Sequence, residues 1–105
     1  MNDNKLIAEF MGVKPKTAFG RGEIYVDYSR FWNYLMPVII KIEEMTIDDD
    51  NLTIKERRYQ VDMSYTQCSI YDHVRDGVIA SADMVTKLLS THRAVVEFIK
   101  EYNNG

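Results

Sequence analysis

The chain has little of what marks a protein for a special environment. It carries one cysteine in 105 residues, Cys68, so no intrachain disulfide can form and a reducing interior is the simplest setting. No apolar run approaches the roughly 20 residues needed to span a bilayer. The opening MNDNKLIAEFMG carries acids where a secretory leader needs an unbroken apolar segment. Positive charge is not in excess either. Lys and Arg number 13 against 16 Asp and Glu, a net charge of −3 that removes any general field for nucleic acid. Internal repeats and low-complexity segments are absent. Together these point to one soluble cytoplasmic domain spanning residues 1–105.

What is present suits a folded core. A 46% hydrophobic and 28% charged composition is that of a globular protein, and this length can bury enough surface without disulfides or metal. Charge is unevenly spread. Lys14, Lys16 and Arg21 form a basic stretch, and Glu43, Glu44, Asp48, Asp49 and Asp50 an acidic one.

Residues 2–12 read as a short helix, with Asn2, Asp3 or Asn4 as its cap, Gly12 at its end, and Leu6, Ile7, Phe10 and Met11 on one stripe. Three turns at most cannot stand alone in water, so this helix must dock. VKPKTAFGRGE follows as a loop, and EIYVDY as a short extended segment. A second helix is expected from Ser29, whose hydroxyl can cap it. Phe31, Leu35, Val38, Ile42 and Met45 recur on its apolar face, and Pro37 either kinks it or starts a new one. From Leu52 to Val74 the period switches to two. Tyr59, Val61, Met63 and Tyr65 alternate with polar residues; Cys68, Ile70 and Asp72 continue on a second strand, opposite in face to Ser69, Tyr71 and His73. RDGV supplies a turn and VIAS a short third strand. The last helix, capped by Ser81 or Asp83, carries Val85, Leu88, Leu89, His92, Val95, Val96, Ile99 and Tyr102 at helical spacing. The order predicts an α+β fold, a small two- to three-stranded antiparallel sheet with three helices packed mainly on one face.

KLIAEFMG, WNYLMPVIIKIEEM and AVVEFIKEYN, in this order, resemble stretches of a set of small proteins encoded in phages, prophages and genomes of Bacteroidota-type bacteria. The likeness covers the three helices. That set usually has an aromatic where His92 stands and a tryptophan where Glu101 stands, so this chain departs from it at that end. The resemblance implies an intracellular, phage-associated setting and assigns no activity or catalytic residue.

No catalytic constellation is legible. Cys68 and His73 are five apart and point to opposite faces of a strand, so Cys68 reads as a small buried thiol rather than a nucleophile. His92 reads as a residue at the core margin. Asp48-Asp49-Asp50-Asn51 fails the calcium-loop pattern, because Leu52 and Tyr59 fall where ligands are required. Asn51-Leu52-Thr53 matches a glycosylation sequon, which is a chance match without a secretory route. FGRGE lacks the third glycine and the Lys-Ser or Lys-Thr of a phosphate loop. No cofactor is indicated.

Two surfaces remain. Tyr28, Phe31, Trp32 and Tyr34 read first as core, but they cluster more rings than a small core requires, so a protein interface or self-association through an exposed edge is the alternative. Lys14, Lys16 and Arg21, with Phe19 to stack on a base, form a weak nucleic-acid candidate. The leading expectation is a non-enzymatic binding or accessory protein, with no membrane partner. A nucleic-acid module comes second, and a small enzyme with a composite site at an oligomer interface third.

Overall fold

In the computed structural model, residues 3–18, 20, 22–47 and 56–104 are described. Phe19, Arg21, the acidic run at 48–50 and the sequon at 51–53 lie outside the described residues. The described chain forms α1 (Asp3–Met11), β1 (Lys16–Ala18), β2 (Gly22–Ile24), α2 (Trp32–Glu44), β3 (Tyr59–Met63), β4 (Gln67–Asp72), β5 (Gly77–Asp83) and α3 (Lys87–Asn104). Strands β3, β4 and β5 make one antiparallel sheet in that order, and the helices pack against it, giving the expected α+β architecture. Helix α3 lies across β4 and β5, α2 runs along β3, and α1 docks on α3.

The alternation that predicted the hairpin is its burial pattern. Tyr59 and Val61 on β3 and Cys68, Ile70 and Asp72 on β4 face the helices, while Gln60 and Asp62 face outward. Pairing runs from Tyr59 opposite Asp72 to Met63 opposite Cys68, so Tyr65 stands in the turn, 85% exposed, and does not continue the strand. The third strand is longer than VIAS. β5 runs from Gly77 to Asp83, with a register irregularity opposite Ile70 and Tyr71. The turn before it holds Asp76 at φ 55°, a left-handed conformation that aspartate tolerates better than most residues.

Helix starts differ from the sequence reading. Ser29 does not cap α2, because it stands two residues ahead of the cap position, in a tight turn where its hydroxyl and amide donate to Asp27 Oδ1 at 2.6 and 3.1 Å. Phe31 occupies the cap position in extended conformation, with no side-chain hydrogen bond, and the Tyr34 amide donates to its carbonyl. Pro37 does not restart the helix. α2 is continuous through it, with Leu35, Val38, Ile39 and Ile42 buried and the proline on the solvent side. Ser81 and Asp83 belong to β5. The cap of α3 is Thr86, whose Oγ1 accepts from the Leu89 amide at 3.2 Å, so Val85 lies outside the helix and is 83% exposed. The loop assigned to VKPKTAFGRGE contains the β1–β2 ribbon, paired from Lys16–Ile24 to Ala18–Gly22.

The core is continuous across all three helices and the sheet. Its centre is Phe98, fully buried, with its ring 4.8 Å from that of Tyr59, 6.2 Å from Phe10 and 5.9 Å from Tyr102. At the sheet end stands Asp72, 1% exposed. It accepts from Arg58 Nε at 3.1 Å and Nη2 at 3.0 Å, and from the Val74 and Arg75 amides at 2.9 and 3.4 Å. Burial alone would raise this carboxyl's pKa. The donors and the Arg58 charge outweigh that and hold it below the usual carboxylate range.

Candidate functional site

Two strand-poor segments build the surface richest in sequence-predicted residues. The first is the chain from Val13 through the ribbon to Tyr28. Gly12 closes α1 at φ 71°, and the Val13 amide returns to the Ala8 carbonyl at 2.9 Å, which turns the chain away from the helix. Apolar side chains on and beside the ribbon stay in water: Val13, Ile24 and Val26 are 48%, 43% and 37% exposed. They line a groove of about 240 Å³ whose wall also includes Tyr28 and whose edge carries Lys14 and Lys16. Tyr28 is itself buried, and its amide donates to Asn4 Oδ1 at 3.1 Å, which pins this turn to the start of α1. Tyr25, on the same wall, donates its hydroxyl to Glu23 Oε2 at 2.7 Å. That bond, with the neighbouring carboxylates, pushes the phenol up to about 12.

The second segment is the start of α2. Phe31 and Tyr34 face outward, 55% and 43% exposed, with their rings edge to face at 5.9 Å. Further along the helix, Ile40 is also exposed. Trp32 is half-buried and packs against the core. The four rings singled out in the sequence therefore divide. Tyr28 is core, Trp32 leans on it, and Phe31 with Tyr34 forms an apolar surface pair. The basic set divides too: Lys14 and Lys16 are exposed on the groove, while Phe19 and Arg21 are outside the described residues.

The groove offers ammonium donors at its edge and carbon within. That chemistry suits an apolar anchor flanked by acid. The thiol elsewhere is inert. Cys68 is fully buried, and burial pushes its pKa up, away from the reactive thiolate. His73 is exposed on the turn after β4. His92 sits at the core margin, its Nε2 buried with no partner among the described residues. Burial lowers its pKa and Arg93 adds to that, while Asp3 and Asp27 pull the other way. Among the described residues no three His, Cys, Asp or Glu side chains gather as a metal site, and no helix is long and apolar enough to cross a membrane.

The reading of sequence missed Arg58 and Asp72 as partners, and Phe98 as the centre of the aromatic core. No protein-family model, curated protein or solved structure compared with the chain matches it.

Proposed function

We propose that the chain is a non-enzymatic binding protein that acts through protein–protein contacts, with Phe31, Tyr34 and the lysine-edged groove as its contact surface. The observation that carries this is the outward-facing Phe31–Tyr34 pair. Two adjacent rings held in water forfeit the burial that stabilises every other large ring of the core, and a partner restores it. Charge complementarity at Lys14 and Lys16 favours a partner segment with an apolar anchor and acidic flanks. A cytoplasmic and phage-associated setting belongs to the same proposal. It rests on the lone cysteine and on the resemblance of the three helical stretches to phage-encoded proteins. A second copy of the chain is the alternative protein partner.

The second reading is weak nucleic-acid binding by Lys14 and Lys16, which share their groove with the Tyr25 ring. Two described lysines give a small, salt-sensitive contribution, so this reading ranks below the first. Affinity capture from a bacterial host lysate separates them, run at low and then moderate salt with absorbance read at 260 nm. A stoichiometric protein retained through the salt step by wild type, and lost from a Phe31→Ser, Tyr34→Ser variant, supports the protein-binding reading. Retention by that variant refutes the aromatic surface. Nucleic acid that washes off with salt, and is lost in Lys14→Glu, Lys16→Glu, establishes the second reading instead.

A further inference from the structure

The Asp72 clamp opens onto a cavity that shares no wall with the lysine-edged groove. Its volume is about 120 Å³, and Arg58, Tyr59, Arg75, Glu101 and Tyr102 surround it. Two guanidiniums face this space in different states. Arg58 commits Nε and Nη2 to Asp72, and its guanidinium lies over the Tyr59 ring, 5.1 Å from the centroid. Because Asp72 is 1% exposed and fixed by two backbone amides, it sets the orientation of the Arg58 fork. Arg75 reaches Asp72 Oδ2 only at 3.8 Å through Nε, and donates through Nη1 to Glu101 Oε1 at 3.3 Å.

Charge decides what the cavity prefers. Arg58 and Arg75 against the buried Asp72 leave one positive charge, and Glu101 balances it from the opposite wall. That outer pair is half exposed on both sides, 51% for Arg75 and 50% for Glu101. An ion pair so exposed contributes little and gives way readily to a better-placed anion. The cavity opens to solvent and has room for a phosphate or carboxylate group between the two guanidiniums. Tyr102, 48% exposed at the rim, offers the body that carries such a group a ring to lie against.

We propose that this cavity is an oxyanion-binding site, in which Arg58 and Arg75 take the phosphate or carboxylate end of a ligand and Glu101 is the internal occupant it displaces. The test titrates the whole chain with inorganic phosphate and separately with acetate, with chloride holding ionic strength constant. It reads the Nε–Hε magnetic-resonance signals of Arg58 and Arg75. A saturable shift of both signals is expected, lost in Arg75→Gln and tightened in Glu101→Gln by up to about fivefold, the factor an exposed ion pair is worth. Both substituted side chains are half exposed, so the variants keep the fold, which circular dichroism verifies. A response to phosphate alone assigns a phosphoryl group, to acetate alone a carboxylate, and to both a general oxyanion. The proposal is overturned if neither salt gives a saturable shift, if the shift survives Arg75→Gln, or if Glu101→Gln binds no tighter.

Discussion

Removing the carboxylate of Asp72 tests the deepest electrostatic contact in the fold. Asp72→Ala deletes two Arg58 hydrogen bonds and the acceptor of the Val74 and Arg75 amides. Breaking a fully buried ion pair costs about 3–5 kcal/mol, because the remaining charge is stranded. Here the stranded group is not fully buried: the Arg58 side chain is 32% exposed and can regain water, as can the two turn amides. The expected loss is therefore about 2–3 kcal/mol. In a domain of this size that lowers Tm by roughly 10–20 °C. Arg58→Met should cost more, since it leaves the carboxylate at 1% exposure with only the half-exposed Arg75 guanidinium, at 3.8 Å, as a cation. The two changes should be strongly non-additive in a double-mutant cycle.

The same group gives a pH signature. Its pKa in the folded state lies below the ordinary value of 3.8, so in acid the unfolded chain binds a proton that the fold does not. Stability from Asp72 is then fully present above that ordinary value and is lost as pH falls through the folded one. Urea unfolding of wild type and Asp72→Asn at a series of pH values reads it directly. The difference between them should hold at neutral pH and shrink in acid. A cost under about 0.5 kcal/mol at pH 7 would mean that the pair behaves as a surface contact. A pH-independent difference would mean that the charge is not what stabilises the clamp.

Two further substitutions check the core margin. Trp32→Ala should lower stability by about 2–3 kcal/mol in urea unfolding, less than a fully buried tryptophan because the ring keeps part of its surface in water; a neutral result would detach it from the core. His92→Phe removes the buried, unpartnered Nε2 and should stabilise the fold by about 1 kcal/mol. His92's pKa is lowered in the fold, against the pull of Asp3 and Asp27, so its contribution is intact above about the ordinary 6.5 and lost as pH falls below it. His92→Phe should flatten the stability profile below that pH, and an unchanged slope would show that the imidazole titrates as though in water.

Legibility followed contrast between neighbouring side chains. The β3–β4 alternation was visible because one face of that hairpin meets the core and the other meets water, so polarity repeats every two residues. β5 reads Gly-Val-Ile-Ala-Ser-Ala-Asp, small residues with little contrast, and its last residues passed for a helix cap. The true cap, Thr86, stood five residues past Ser81. The β1–β2 ribbon was hidden for the same reason. It is three residues a side with β2 exposed throughout, so no burial pattern marks it and its glycines read as loop. Ser29 misled because a hydroxyl ahead of an apolar stripe is a fair cap signal, but the turn held by Asp27 delays the helix start to Trp32.

The Arg58–Asp72 clamp shows what one additional constraint would have revealed. Asp72 was already placed on the inward face of its strand by the same period of two that placed Cys68 and Ile70. An inward carboxylate demands a donor, and the sequence offers several arginines nearby: Arg57, Arg58 and Arg75. The register narrows the choice. With Tyr59 opposite Asp72, Arg58 immediately precedes β3 beside the carboxylate, although strict alternation would put Arg57, not Arg58, on the face of Tyr59. A slip of one position would turn Tyr59 and Val61 to solvent while exposing their polar neighbours to the core. The same burial that fixes the hairpin thus brings the chain before β3 beside Asp72, and the long Arg58 side chain reaches the carboxylate from there. Spacing in the sequence could not show this, because the two partners lie fourteen residues apart on different strands' ends and meet only when the sheet is in register.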